Sequence, residues 1–261
     1  MANMQQLQDT LDAQAPLINA LKKAFQNSKH SDLIIRCADN RWDVHKLIVC
    51  SQSPVLAKAC EGAFKEAEEG LITLHEDDPW VVEAMLEFIY TLDFDDSYSD
   101  IAETPPIVFT VNLHMAADKF DIPGLRKLTA LKFHAQALAE WKTAGFAEAA
   151  ALVFNAGVAV DESLREIVVS IATKNAKQLL SQDEVGRCFH AVASATPALA
   201  VALWQRQVEG QTEDDAKVKE SKRQGYKCPV PGCGAIKQTI DKDGINMCTY
   251  CGFLGRGWVS V

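Results

Sequence analysis

Four cysteines between residues 226 and 261 constrain this chain most. Cys228 and Cys233 are separated by four residues, Cys248 and Cys251 by two, and the two pairs by fourteen. A block this short buries too little apolar surface to fold without a cross-link. The first residues, MANMQQLQDT, lack the basic-then-apolar pattern of a signal peptide, which predicts an intracellular protein of the cytoplasm and/or nucleus. In such a compartment thiols and metal ligands are expected in place of disulfides. Zn²⁺ takes four soft ligands in a tetrahedron, and two short loops carrying two thiolates each supply them. Cys228, Cys233, Cys248 and Cys251 are therefore the expected ligands of a structural Zn²⁺. The competing readings are four unrelated thiols or a redox Cys-x-x-Cys pair; the latter is expected beside a βαβ unit, and no such pattern occurs here. Each pair ends in Cys-Gly, at Gly234 and Gly252, and the segment between predicts a hairpin around Lys242-Asp243-Gly244.

The 261 residues leave room for one or two further domains, and 48% hydrophobic with 23% charged residues is a globular mixture. The longest uncharged stretch, Cys188 to Gln205, is interrupted by His, Ser, Thr, Pro and Gln, so no membrane span is expected. The formal charge of −9 is uneven: Glu61 to Glu103 carries fourteen acidic residues against Lys65 alone, leaving +4 elsewhere. That acidic middle opposes nucleic-acid or anionic-membrane binding there.

Helical and extended periods alternate along the chain. Leu7, Leu11, Ile18, Leu21 and Phe25 share a helical face in residues 1–27, with Pro16 suited to a first helical position. This stripe either covers its own domain or meets a partner subunit. Leu33, Ile35 and Cys37 then alternate with Ile34 and Arg36, and after Ala38-Asp39-Asn40 so do Trp42 and Val44, which predicts a β-hairpin. Ser53-Pro54 and Asp78-Pro79 each pair a capping residue with a proline that opens a helix. The first of these helices presents Leu56, Cys60 and Phe64, the second Val82, Met85, Leu86 and Ile89, and Leu71–Leu74 is a short strand between them. The pattern predicts an α+β fold with a small sheet wrapped by helices.

Several segments carry a family resemblance: HSDLIIRC, WDVHKLIVCSQSPVLAKACEGAFKEA, LITLHEDDPWVVEAMLEFIYTLDFD and HMAADKFDIPGLRKL. In their order and spacing, over about residues 28 to 135, they resemble a BTB/POZ domain, in the style common in filamentous fungi. Its markers are Asp32, His45-Lys46, Ser53-Pro54, Phe64-Lys65-Glu66 and Phe88-Ile89-Tyr90-Thr91. The acidic loop Asp93 to Pro106 is expected as an exposed insertion. Beyond it, Leu125, Leu128, Leu131 and Leu138, then Leu164, Val168 and Ile171 behind Asp161, recur at helical spacing. Ser181 with Glu184 predicts a capping box, and Thr196-Pro197 a last helix ending near Trp204. Those helices resemble the extension that follows BTB domains. Glu209 to Gln224 holds nine charges and reads as a solvated linker. The expected organisation is thus an N-terminal helical segment (1–27), a BTB/POZ domain (28–123), a helical extension (124–208), a charged linker (209–225) and a module resembling a zinc ribbon (226–261).

The resemblance implies protein–protein interaction. BTB domains pair as homodimers through their first helix and first strand region, and Asp32 and Lys46 match positions where the family places opposite charges near that interface. A second implied activity is to bridge a cullin scaffold to substrates for ubiquitination. There Phe64-Lys65-Glu66 fits the hydrophobic-x-Glu step of the adaptors, which makes Phe64 and Glu66 the candidate cullin contacts. A nucleic-acid-associated regulator ranks last, because Lys227, Lys237, Lys242 and Arg256 against Asp241 and Asp243 give +2, which four thiolates and Zn²⁺ cancel. Catalysis finds no support: six scattered histidines have no partner at an interpretable spacing, no glycine-rich phosphate loop occurs, and four ligand cysteines close the metal to substrate water. Cys37, Cys50, Cys60 and Cys188 sit in apolar patterns and are expected as core thiols.

Overall fold

The computed structural model describes residues 2–61, 68–154, 162–181, 183–221, 226–233, 236–237, 246–248, 251, 254–255 and 259–260. They divide into two compact units, Met1–Ala202 and Leu203–Val261.

The first unit is built around a three-stranded sheet. Strand β1 (Leu33–Cys37) lies between β2 (Asn40–Val44), antiparallel to it, and β3 (Leu71–Leu74), parallel to it. Ile35 stands opposite Trp42 on one side and Ile72 on the other. The period-two pattern decides the faces: Leu33, Ile35 and Cys37 are buried, while Arg36 is exposed. The hairpin turn holds Ala38 at φ 49, the left-handed backbone that a tight connection between twisted strands requires.

Helices enclose the sheet. In chain order the first unit has α1 (Ala2–Asn27), α2 (Lys46–Gln52), α3 (Pro54–Cys60), α4 (Pro79–Thr91), α5 (Tyr98–Ile101), α6 (Pro106–Lys119), α7 (Pro123–Glu140), α8 (Ala144–Val153), α9 (Glu162–Lys174), α10 (Ala176–Leu179) and α11 (Glu184–Ala195). Both predicted helix starts form as expected. The buried Ser53 hydroxyl accepts the Leu56 N–H, Asp78 accepts the Trp80 and Val81 N–H groups, and Pro54 and Pro79 open the helices behind them. Helix α4 departs from its expected stripe by being buried nearly all round, with Val81, Ala84, Phe88 and Tyr90 inside as well as Val82, Met85, Leu86 and Ile89. It is the central helix of the core, so polar residues on it are few and sit at its ends and one edge.

Five sequence readings need correction. Pro16 does not start a helix but lies inside α1, where nothing in the structure explains its tolerance. The acidic loop is not simply an exposed insertion. Phe94 and Ser99 are buried, Tyr98 stacks on Phe109 with centroids 6.4 Å apart, and Lys132 of α7 binds Asp93 at 3.2 Å and Asp96 at 2.8 Å. Two apolar anchors and a shared cation outweigh the loop's like-charge repulsion. Ser181 is not the cap of α11. That role falls to Asp183, which accepts the Gly186 N–H at 2.8 Å, because the capping residue must directly precede the first helical one; the Ser181 hydroxyl donates to Gln178. The last helix, α12 (Pro197–Ser221), does not end near Trp204 but runs through most of the segment expected as a linker. Glu213 precedes Lys217 by four residues, as Asp215 precedes Lys219, and such spacing supports a charged helix. Lastly, the leucines of α7 do not share one fate: Leu125 is buried, whereas Leu131 and Leu138 face solvent. Asp161 lies outside the described residues, while Leu164, Val168 and Ile171 are buried as expected.

The second unit contains strands of two residues each. β5 (Ile236–Lys237), β4 (Tyr226–Lys227) and β8 (Val259–Ser260) form one antiparallel sheet in that order, and β6 (Asn246–Met247) pairs with β7 (Leu254–Gly255). Two short hairpins are formed among the described residues. β5 pairs back with β4 and β7 with β6, because each cysteine pair turns its own short segment. Residues 242–244 themselves lie outside the described residues.

Candidate interaction node and metal centre

The BTB-like marker residues meet where β1, α2 and α4 converge. The Asp32 carboxylate accepts the backbone N–H of Lys46 at 2.7 Å, satisfying the first free donor of α2 where His45, the preceding residue, gives no side-chain cap. Asp32 and Lys46 are thus neighbours, joined through the lysine backbone.

Tyr90 organises the next layer. Its hydroxyl accepts the backbone N–H of His45 at 2.8 Å and stands 2.8 Å from the Nδ1 of the same residue, while His45 Nε2 lies 2.8 Å from the Lys29 carbonyl. One assignment satisfies every partner: the His45 ring donates from Nε2 to the Lys29 carbonyl, and the tyrosine hydroxyl donates to Nδ1. Burial pushes the Tyr90 phenol up to about 12, with Asp32 adding to the rise and the His45 N–H opposing it, so the hydroxyl keeps its proton. Phe25 of α1 packs on the same ring with centroids 5.1 Å apart. The node therefore ties α1, the chain after it, α2 and α4 together. His45 is a packing and hydrogen-bonding residue; Tyr90 is the centre of the node, which the sequence presents only as one letter of a family motif.

Around this node the surface is apolar in places. Leu47, next to Lys46, is 84% exposed, and Leu17 of α1 is 63% exposed. Ile18, Leu21 and Phe25 are half-buried, and Leu21 and Phe25 pack on the core; the side chains of Leu7 and Leu11 lie outside the described residues. Part of the N-terminal stripe therefore covers its own domain. The candidate cullin contacts Phe64 and Glu66 also lie outside the described residues.

The thiols outside the C-terminal block differ from one another. Cys37 is buried and donates to the Asp77 carbonyl at 3.0 Å; burial, then Asp77, pushes its pKa up. Cys50, Cys60 and Cys188 are half-buried, which corrects their reading as core thiols, although Cys60 packs against the core from its rim. Burial and the adjacent Cys50 thiol raise the pKa of Cys60, keeping it protonated and a poor nucleophile.

In the second unit the four cysteines converge. Cys228 and Cys233 occupy the loop between β4 and β5, and Cys248 and Cys251 the loop between β6 and β7. All four sulfurs lie within 4.8 Å of one another. The closest pairs cross between the hairpins, with Cys228 3.7 Å from Cys251 and Cys233 3.6 Å from Cys248. A tetrahedron of thiolates about 2.3 Å from a metal has edges of about 3.8 Å, so the donor set fits such an ion, while a disulfide needs about 2.0 Å. Gly232, at φ 80, supplies the left-handed turn between the first two donors, a position the Cys-Gly pattern did not single out; Gly234 and Gly252 lie outside the described residues. Cys228 and Cys248 are buried and Cys251 is exposed, so one edge of the cluster meets solvent.

Residues 21–136 match the family model of the BTB/POZ domain. The chain carries a BTB/POZ domain. This BTB/POZ region is similar to TD and POZ domain-containing protein 1-like of Mus musculus, 29% identical over 114 residues, which are 43% of this chain and 29% of the relative. It is equally similar to BTB/POZ and MATH domain-containing protein 3 of Arabidopsis thaliana, 29% identical over 119 residues, again 43% of this chain and 29% of the relative. The chain thus spans less than a third of the length of these curated relatives. Among solved structures, the BTB domain of zebrafish PATZ1 aligns with a TM-score of 0.35 and 14% identity, covering 45% of this chain and 89% of that one. BTB/POZ domains are generally interaction modules without catalytic activity, and this one is followed by a helical extension and a C-terminal cysteine cluster. No helix among the described residues is long and apolar enough to cross a membrane.

Proposed function

We propose that this chain is a non-catalytic scaffold or adaptor, acting within the cytoplasm and/or nucleus, whose BTB/POZ domain forms a homodimer and whose C-terminal module is a structural zinc site. The observation that carries the self-association is the exposed Leu47 beside the Asp32–Lys46 contact, on a node that also anchors α1. A leucine in water beside a backbone pinned by a carboxylate is a feature interfaces cover. The relatives' names join the POZ domain to a second domain, which supports an adaptor with one face for itself and one for a partner. For the metal, the support is the crossed sulfur geometry: Cys228, Cys233, Cys248 and Cys251 would hold Zn²⁺ with no open position, so the ion would brace two hairpins and leave chemistry to other proteins.

Light scattering of the purified chain tests the dimer. A mass near twice 28.6 kDa is expected, and Leu47→Asp should lower it towards 28.6 kDa while leaving the fold intact, since the side chain is exposed. A wild-type monomer at micromolar concentration overturns the reading. The finer alternative is a cullin-linked substrate adaptor through Phe64 and Glu66. Its support is the sequence step alone, and its test is Glu66→Lys: weakened cullin binding with an unchanged melting curve favours it, and equal or absent binding by both proteins removes it.

A further inference from the structure

A groove of about 670 Å³ runs between α7 and α9, at the junction of the BTB/POZ domain with its helical extension. Its apolar lining includes Pro123, Leu131 and Ile167, and its charged lining consists of Arg126 and Lys127, with His134 beside them and no aspartate or glutamate among the described residues. Leu131 is 69% exposed, and Leu138, two helical turns further along α7, is 54% exposed. The two stand about 10 Å apart along the helix, which makes an apolar ridge long enough to meet a peptide segment instead of a single small group.

The charges are placed for recognition. Arg126 is fixed by Asp118 at 2.9 Å, which leaves further guanidinium N–H donors to the groove. Lys127 is exposed and makes no ion pair among the described residues. On α9 the exposed Glu162 is turned to Arg165 at 3.8 Å and does not line the groove. In a chain of net charge −9 whose middle is strongly acidic, an apolar groove whose described charged lining is cationic favours partners that carry carboxylates.

We propose that this groove docks a segment of another protein in which apolar side chains alternate with carboxylates, the apolar groups against Leu131 and Ile167 and the carboxylates on Lys127 and Arg126. The occupancy is independent of self-association, which is read by mass, whereas docking is read by peptide binding.

The probe is a random peptide library displayed on phage, selected against the full chain and counter-selected against Leu131→Asp. That substitution replaces an exposed side chain and should leave the fold unchanged, which circular dichroism checks. The expected result is enrichment of peptides combining leucine, isoleucine or phenylalanine with aspartate or glutamate. Synthesised hits should lose about tenfold in affinity on Lys127→Glu and weaken as salt rises. Absence of enrichment, enrichment of basic peptides, or equal binding to wild type and Leu131→Asp overturns the assignment. So does a hit that converts the dimer to monomer, which would identify a second copy of this chain as the occupant.

Discussion

The two compact units are held together by different means. In Met1–Ala202 the interior is largely apolar: Tyr90, Phe133, Phe146, Met85 and Ile107 are among its largest fully buried side chains, and strands of four or five residues pair with one another in a sheet. In Leu203–Val261 the strands have two residues each, and the strongly buried residues among those described are Cys228 and Cys248, which are themselves donors of the sulfur cluster. Burial stabilises in proportion to area, so many side chains share the load and each carries part of it. Under the zinc proposal, four cysteines bound to one ion would concentrate it, and the loss of one would remove most of what holds the block.

The comparison breaks most visibly at Cys248. Cys248→Ser should abolish metal retention and unfold the C-terminal module while the first unit keeps its melting transition, because structural zinc contributes on the order of 10–16 kcal/mol to folding a module of this size. Elemental analysis and calorimetry check both halves; undiminished zinc, or loss of both transitions together, would contradict it. In the first unit a single truncation should cost less. Met85→Ala, at a fully buried position, is expected to lower stability by roughly 2–5 kcal/mol without unfolding the domain, measured by denaturant titration. Tyr90→Phe should cost less still, about 1–3 kcal/mol, since the ring keeps its packing on Phe25 while the His45 N–H and Nδ1 lose their partner. If Tyr90→Phe were as damaging as Met85→Ala, the node would be more than local.

What the sequence made legible follows the same division. Period-two alternation revealed β1 and β2, and cap-plus-proline pairs revealed α3 and α4, because these signals are local and their partners lie within a few residues. Tyr90 escaped because its importance depends on His45, 45 residues away, and on Phe25 from another helix. The docking of the acidic loop escaped for the same reason: Lys132 lies far along the chain from the carboxylates it holds. The helical path of 209–221 was readable in its charge spacing, yet its polar composition argued for a linker; a helix can be both, and solvated. The convergence of the four cysteines was legible through their spacing, whereas the pairing of each hairpin was not, since two-residue strands carry almost no periodic signal.

Native mass spectrometry of the purified chain tests the central claim most directly, because one spectrum reads both units. The expected result is a species of twice 28.6 kDa carrying one Zn²⁺ per chain, with the metal lost from Cys248→Ser while the dimer persists. A single chain, a dimer without zinc, or a dimer that dissociates when Cys248 is replaced would contradict it.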